Sequence, residues 1–305
     1  MDAFNIILPV FTLIAIGYFI RKRGYVSQED FDGVENLSFR LLLPAMIINA
    51  IYHSEMSLSA AGPFVLAAIV VVSLSGILTL VLRVGIGRDT LPAASHSSLF
   101  QATTRWNGLM SLSFAGAAFG ETGLALIAIA MAFLIPFVNV INITALSLMH
   151  NQGVRPLGIL KAIVQNPLII GSGIGLLLNF TGVKLPGFAE QTLGYVSQAT
   201  LAMAILVIGA GFQLRRLVRP GWQVMWAVLV KNALAPLGFL LLSRWFSLSD
   251  IETVCGMLIV SAPAAANGYI VARKMGGDAP LFAYAMTWQL VASILTIPLI
   301  LTFAV

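Results

Sequence analysis

The sequence TTRWNG (residues 103–108) lies in the middle of a long apolar stretch and places an arginine, an indole and an amide beside a glycine. Glycine and asparagine both weaken a helix and tolerate irregular backbone angles. An arginine at the middle of a bilayer is costly and needs a partner. These six residues therefore predict a membrane helix that is broken near its centre, with Arg105 facing a polar cavity at the break.

The rest of the chain has the composition of an integral membrane protein. Of its 305 residues 59% are hydrophobic and only 10% are charged, whereas soluble domains carry about 25% charged residues. The apolar runs are long enough to cross a bilayer as helices and lack the alternation of a β-barrel. A single cysteine, Cys255, excludes an internal disulfide, and the three histidines show no metal-ligand spacing. The pI near 9.6 is attributed to cytoplasmic loop arginines, so no nucleic acid partner is expected.

Ten apolar stretches predict ten membrane-spanning helices. Their predicted ranges are 3–20, 35–53, 61–82, 91–119, 122–148, 158–180, 190–213, 221–243, 250–272 and 279–303. The odd-numbered loops hold twelve of the 17 lysines and arginines and the even-numbered loops hold two. The twelve are Arg21, Lys22, Arg23, Arg83, Arg88, Arg155, Lys161, Arg215, Arg216, Arg219, Arg273 and Lys274, and the two are Lys184 and Arg244. Because lysine and arginine accumulate in cytoplasmic loops, both termini are predicted to lie outside.

The chain also reads as two copies of one five-helix unit, predicted at residues 1–150 and 151–305. A shift of 158 to 160 residues aligns Pro9 with Pro167, Gly17 with Gly175, Gly24 with Gly182 and Asn107-Gly108 with Asn267-Gly268. Five helices are an odd number, so the second copy enters the membrane from the opposite side. This inverted-topology repeat is typical of secondary transporters. The alternative is chance matching of common small residues.

The repeat predicts a second break in the ninth helix, within SAPAAANG (residues 261–268). Pro263 removes a backbone donor there, just before the pair Asn267-Gly268. Broken helices at equivalent places in inverted repeats should meet near the bilayer midplane, where helix ends of both polarities face a ligand. The alternative is that Asn107 and Asn267 only form hydrogen bonds across a helix interface.

Four segments resemble the auxin efflux carrier family, which includes plant auxin exporters and bacterial malonate-carrier-like proteins. They are ILPVFTLIAIGYFIRKRG (7–24), LSFRLLLPAMIINAI (37–51), QNPLIIGSGIGLLL (165–178) and LIVSAPAAANGYIVARKMGGD (258–278). The resemblance implies an all-α polytopic fold, with two inverted five-helix repeats and crossed, broken helices 4 and 9, like that of sodium/proton antiporters and bile acid transporters. It implies a scaffold bundle and a transport bundle, each drawn from both repeats. It also implies substrates that are mostly organic monoanions and dianions.

The predicted substrate site combines one cation with several amides at the two breaks. Its residues are Arg105, Asn107, Gly108, Pro263, Asn267 and Gly268, together with Asn139 and Asn142 of the fifth helix. The guanidinium of Arg105 can bind a carboxylate by two parallel hydrogen bonds, and Asn107 and Asn267 would orient the anion. The alternatives are an internal ion pair of Arg105 with Glu252, Asp250 or Glu121, and structural bonds for Asn139 and Asn142. Lys231, in the eighth helix, is interpreted as structural.

These observations predict a secondary transporter that moves a small organic anion, an auxin-like or malonate-like carboxylate, by alternating access. The competing interpretation is a Na⁺- or H⁺-coupled cation transporter or antiporter, which is disfavoured because no aspartate or glutamate is expected near either break. Without a paired-carboxylate site or a Ser-His-Asp set, the protein is not expected to be an enzyme. No cofactor is expected, and Na⁺ and H⁺ are the candidate coupling ions. The expected partners are the anion, the lipid bilayer and a second copy in a homodimer, in a bacterial inner membrane.

Overall fold

A computed structural model of the chain describes residues 3–54, 58–87, 89–150, 156–211, 219–265 and 267–304. Within these ranges the regular structure is entirely helical, which confirms the all-α prediction. Six helical stretches in this part of the chain are long and apolar enough to cross a membrane. Arg88, Arg155, Arg215, Arg216 and the side chain of Asn267 lie outside the described residues.

The described residues of the first half form six helices, two of which are joined by a π-helical segment. They are α1 (Ala3–Lys22), α2 (Gln28–Leu37), the π segment Ser38–Leu42, α3 (Leu43–Tyr52), α4 (Leu58–Ile86), α5 (Ala93–Thr104) and α6 (Gly108–Met149). The long helix α6 bends at Gly120, where φ is 57°. That bend separates the predicted fourth and fifth helices.

The second half of the chain repeats this style of broken and π-interrupted helices. Its elements are α7 (Pro156–Val164), α8 (Pro167–Thr181), α9 (Gly187–Ala210), α10 (Trp222–Leu229), the π segment Val230–Leu234, α11 (Ala235–Trp245), α12 (Asp250–Ser261), α13 (Asn267–Met275), α14 (Ala279–Leu301) and a final 3₁₀ turn at Thr302–Ala304. Helices occupy all ten predicted ranges. The number of bilayer crossings stays a prediction.

Prolines account for both π-helical segments. Pro44 and Pro236 each stand just after a π segment, in the first turn of α3 and α11. A proline ring clashes with the carbonyl group four residues earlier and cannot donate a hydrogen bond to it, so the preceding turn widens. In the second segment the released carbonyl is that of Asn232, and it accepts a hydrogen bond from Thr296 Oγ1 at 3.3 Å.

One bundle consists of α1, α3, α8 and α9, and glycines let its helices approach closely. Gly17 of α1 faces the backbone of Leu206 in α9, and Gly175 of α8 faces Ile48 in α3, with 3.2 Å between the Ile48 Cα atom and the place of a Cβ atom on the glycine. A side chain at either glycine would have to displace the facing helix. Gly175 thus serves helix packing within the chain.

The other helices pack around α5 and α12. Helix α4 contacts α5, α11 and α12, while α14 contacts α5, α10 and α12. In this second bundle the rings of Phe64 and Phe239 pack edge to face, with 6.1 Å between the ring centroids. Helix α6 contacts both bundles, because it packs on α12 and α5 as well as on α3 and α8. The two interrupted helices therefore lie inside the molecule, where irregular backbone is shielded from lipid.

Candidate substrate-binding site

The predicted break in TTRWNG is present between α5 and α6. Helix α5 ends at Thr104, and the backbone of Arg105 is extended, with φ −74° and ψ 154°. The side-chain oxygen of Asn107 accepts hydrogen bonds from the backbone N–H groups of Leu109 (3.1 Å) and Met110 (3.4 Å). Asn107 therefore starts α6 as its N-cap, a role that the sequence analysis did not assign.

The second predicted break lies between α12 and α13. Helix α12 ends at Ser261, the residues from Ala262 to Ala265 are non-helical, and α13 begins at Asn267. Pro263 is buried within this segment. Gly268, the second residue of α13, touches the Arg105 side chain: its missing Cβ atom would lie 3.0 Å from Arg105 Cδ. The two breaks thus meet.

Gln289 of α14 connects the two breaks by hydrogen bonds. Its amide nitrogen donates to the carbonyl oxygen of Ala102 near the end of α5 (2.9 Å), and its amide oxygen accepts from the backbone N–H of Ala264 (3.0 Å). The nitrogen also donates to the carbonyl of Ala227 in α10 (3.2 Å). Gln289 is fully buried, so these bonds form where water does not compete. No local sequence pattern singles this residue out.

Arg105 is 3% exposed and binds only neutral groups. Its Nε atom donates to Gln101 Oε1 at 2.9 Å, and one terminal nitrogen donates to Asn139 Oδ1 at 3.3 Å. In the described part of the chain the one ion pair is between His53 and Glu190. Glu252, an expected alternative partner, instead accepts from Ser249 in a capping box. Among the described residues no carboxylate lies within ion-pair distance of the guanidinium.

A cavity of about 480 Å³ opens beside Arg105. Four of the predicted site residues line the cavity: Arg105, Asn107, Gly108 and Asn139. Much of the remaining wall consists of Trp106, Phe39 and aliphatic side chains. Two helix N-termini also border it, because Gly108 begins α6 and Leu168 lies in the first turn of α8. The arginine and the two helix N-termini can attract a carboxylate, and the apolar part of the wall can cover a carbon skeleton.

Asn142 lies away from the cavity. It is fully buried, and its amide nitrogen donates to Thr104 Oγ1 (3.0 Å) and to the carbonyl of Val138 (2.8 Å). It is not among the residues that line the cavity, and neither are Pro263 and Gly268. Asn142 ties α6 to the end of α5 and so holds the arginine-bearing break in position.

The sequence analysis missed the acidic residues of the cavity. Asp32 and Glu35 of α2 line it, as do Asn36 and the α8 cap Asn166. The expectation that no aspartate or glutamate lies near a break is therefore wrong. Asp32 lies just before the predicted start of the second span at residue 35, and Glu35 is its first residue, whereas the helix begins at Gln28 behind a Ser27–Asp30 capping box. Asp32 and Glu35 are three residues apart and share one helix face.

Interrupted helices that meet beside a buried arginine and a cavity are features of polytopic membrane transporters. A family described as "Membrane transport protein" matches residues 2–301. The chain belongs to this family, which confirms the resemblance to auxin efflux carriers. The family consists of membrane transporters, so the chain is a transporter and not an enzyme.

Three curated relatives align with most of the chain. A "Putative malonate transporter" of Rhizobium meliloti is 24% identical over 281 residues, which cover 89% of this chain and 86% of that protein. An "Uncharacterized transporter" of Methanothermobacter thermautotrophicus is 20% identical over 302 residues, with 98% and 97% covered. Another "Uncharacterized transporter", of Methanocaldococcus jannaschii, is 24% identical over 308 residues, with 98% of each chain covered. These relatives support a multi-pass membrane transporter.

Proposed function

We propose that the protein is a secondary transporter that moves a small organic anion through the cavity beside Arg105. The observation that supports this most is the buried guanidinium, whose bonds within the described structure go to Gln101 and Asn139 rather than to a carboxylate. A buried guanidinium that no described carboxylate contacts can bind an anion by charge-assisted hydrogen bonds. The N-termini of α6 and α8 add to this attraction.

The proposed binding mode assigns a task to each lining group. Arg105 would hold the carboxylate by two parallel hydrogen bonds, and Asn139 and Asn107 would contact it from either side. Asn267 and Gly268 would complete the site from the second break. The apolar wall, including Trp106, would cover the carbon skeleton. Malonate is a suitable first candidate because a relative's name refers to it.

The proposed mechanism is alternating access in a fold of ten helices and two inverted repeats, residues 1–150 and 151–305. A pair of contacts supports the repeat. Gly17 packs on Leu206, and Gly175 packs on Ile48. A shift of 158 residues takes Gly17 to Gly175 and Ile48 to Leu206. The two contacts are therefore the same contact with the two repeats exchanged. The α1, α3, α8, α9 bundle would be the scaffold, and the bundle around α5 and α12 would move.

The cavity opens, in this proposal, toward the cytoplasm of a bacterial cell, with both termini outside. The cavity is lined by residues of α2 and by Asn166. In the sequence these residues come just after the basic loops 1 and 5, which the charge distribution predicts to be cytoplasmic. Helix α13 runs toward the basic pair Arg273 and Lys274. The structure would then represent an inward-facing carrier.

A second candidate function is cation transport or cation coupling by Na⁺ or H⁺, and the carboxylates of Asp32 and Glu35 in the cavity favour it. Thermal unfolding of the purified protein with a panel of small carboxylates, in the presence and absence of Na⁺, separates the two. A ligand that binds only the folded state raises the melting temperature with the logarithm of its concentration. Stabilisation by carboxylates supports the anion transporter, and stabilisation by Na⁺ alone contradicts it.

A further inference from the structure

Gln101 lies one helical turn before Arg105, is fully buried and contacts this arginine twice. Its backbone carbonyl accepts a hydrogen bond from the backbone N–H of Arg105 at 2.9 Å, which closes the last turn of α5. Its side-chain Oε1 accepts a second bond from the Arg105 Nε–H, also at 2.9 Å. Because the second bond joins the two side chains across the same turn, Gln101 fixes the guanidinium relative to the end of the helix.

The amide of Gln101 is only half satisfied. Its oxygen faces Arg105, because the Nε–H of an arginine can donate but not accept. Its nitrogen Nε2 is buried and has no hydrogen-bond partner in the part of the chain that the structure describes. An unsatisfied buried N–H group destabilises the folded protein, and a hydrocarbon side chain of the same size would avoid this penalty. The bond to Arg105 is therefore the contact that accounts for a glutamine at this position.

The hydrogen bonds of Arg105 determine which edge of the guanidinium is left for a ligand. A guanidinium has five N–H donors, one on Nε and two on each terminal nitrogen. A carboxylate can bind it from the side, through Nε and Nη2, or end-on, through Nη1 and Nη2. Gln101 accepts from the single Nε–H, and Asn139 accepts from one N–H of Nη1 at 3.3 Å, while Nη2 donates to none of the described residues. The end-on pair therefore stays open.

We propose that Gln101 is a positioning residue for the substrate: it occupies the side edge of the Arg105 guanidinium and leaves Nη1 and Nη2 to bind a carboxylate end-on in the cavity that Arg105 lines. The neutrality of its amide is essential to this role. A glutamate at position 101 would have nearly the same size and would also accept from Nε, but it would bring a carboxylate that pairs with the guanidinium in the empty carrier. The proposal rests on the proposed anion site.

The first test observes the Nε–H of Arg105 by NMR of protein labelled with ¹⁵N-arginine. The chain has 12 arginines, and the spectrum of Arg105→Gln identifies the signal of Arg105. Gln101→Met should shift this proton signal upfield, because the hydrogen bond is lost, and malonate added to the wild type should shift it much less, because the carboxylate binds the terminal nitrogens. Exposed Arg244 is the reference. A signal that ignores Gln101→Met, or that malonate moves as far as this substitution does, overturns the proposal.

The second test compares malonate affinity and melting temperature. Gln101→Glu should lose at least about 30-fold in affinity without a fall in melting temperature, because an internal carboxylate then competes for Arg105. Gln101→Met, which keeps the charge of Arg105 available but holds it less firmly, should lose only roughly 3- to 10-fold. The matched control is Gln198→Glu, the same change at an exposed position of α9, and it should behave like the wild type.

The outcomes separate the role of Gln101 from that of the anion site. If the wild type binds malonate and Gln101→Glu binds it equally well, or loses no more affinity than Gln101→Met, the positioning role is overturned and the anion site stands. A parallel loss of affinity and melting temperature in both variants would mean that Gln101 only stabilises the fold. If neither malonate nor any other small carboxylate binds the wild type, the proposed anion site itself fails, and the role of Gln101 with it.

Discussion

Arg105 and Gly268 are in direct contact, with 3.0 Å between the Arg105 Cδ atom and the place that a Cβ atom on Gly268 would take. The ring of Phe282 approaches the same place from α14. The stem of the arginine thus lies against one helix break while its backbone forms the other. Because position 268 is a glycine, the stem of Arg105 fits beside this break and the guanidinium lies at the cavity.

Gly268→Ala is expected to weaken carboxylate binding about tenfold and to lower the melting temperature, because overpacking costs about 1–3 kcal/mol. The matched control is Gly173→Ala, in a helix position with open space around the glycine. That change should be neutral or stabilise the helix by about 0.5–1 kcal/mol. Malonate affinity and thermal unfolding are measured on both variants. Equal affinities would show that the contact does not position Arg105.

Arg105→Gln should reduce malonate affinity roughly 30- to 1,000-fold, since a charge-assisted contact in a partly dry site is worth about 2–4 kcal/mol. Arg105→Lys keeps the charge but loses the planar fork, so it should retain part of the affinity. The control is Arg244→Gln, which removes an exposed arginine at the end of α11.

The melting temperature of Arg105→Gln separates an anion site from an internal ion pair. No carboxylate of the described residues pairs with Arg105, so we expect little loss of stability. An internal ion pair would instead cost about 3–5 kcal/mol when broken. Unchanged affinity together with a lowered melting temperature would contradict the substrate role of Arg105.

Gln289→Leu should destabilise the protein by about 2–4 kcal/mol. The change removes the hydrogen bonds of Gln289 with the carbonyls of Ala102 and Ala227 and with the N–H of Ala264. The Ala227 carbonyl still accepts from the Val230 N–H, but each of the other two groups, left unsatisfied, costs about 1–3 kcal/mol. Denaturation of Gln289→Leu is compared with that of Gln198→Leu, which alters an exposed glutamine of α9. Similar stabilities would mean that Gln289 does not hold the breaks together.

The pair His53–Glu190 predicts a pH dependence of stability. The two side chains meet at 3.0 Å and join the end of α3 to the start of α9. Burial lowers the pKa of His53, but hydrogen bonds to Glu190 and to the Asn49 carbonyl and the charges of Glu190 and Glu121 raise it by more, so the net pKa is raised. The stabilisation is therefore complete below the unfolded pKa of about 6.5 and is lost as the pH rises through the folded value.

The measurement is the melting temperature of the wild type minus that of Glu190→Gln, from about pH 5.5 to about pH 8.5. The difference should shrink as the pH rises. Because both side chains are partly exposed, 41% and 44%, the effect is at most about 1 kcal/mol. A constant difference would exclude protonated His53 as the cause.

The orientation in the membrane is tested by cysteine labelling in a Cys255→Ala background. Tyr25→Cys lies in the loop after α1 and Ser247→Cys in the loop after α11. The distribution of lysine and arginine predicts that an impermeant thiol reagent labels Ser247→Cys, but not Tyr25→Cys, in intact cells. Labelling of both positions in intact cells would contradict ten crossings with both termini outside.

Much of the helix pattern follows from the sequence, because a bilayer demands long apolar helices and tolerates a break only where proline, glycine or asparagine permits one. Pro263 and the pair Asn107-Gly108 marked the two breaks. The sequence could not tell which of Asn139 and Asn142 faces the cavity, since one turn separates them and tertiary contacts decide. Gln289 carried no local signal at all, because its partners are far apart in the chain.

The acidic cavity residues could have been found. The segment SQED (residues 27–30) is a helix start signal in which Ser27 and Asp30 cap each other, and it places Asp32 and Glu35 one turn apart on a helix that continues into the second span. What the sequence does not contain is the direction of that face. It depends on how α2 joins α3 through the π segment before Pro44.

The contact between Gly17 and Leu206 bears on how the protein is made. Helix α1 finds its neighbour α9 only after nearly two hundred more residues have been synthesised, roughly 10–40 s at ordinary elongation rates. Until then the Gly17 side of α1 lacks the helix that covers it in the folded protein. Assembly of this bundle is consequently a late event of biogenesis, and a chain that stops before α9 leaves its first helix without this neighbour.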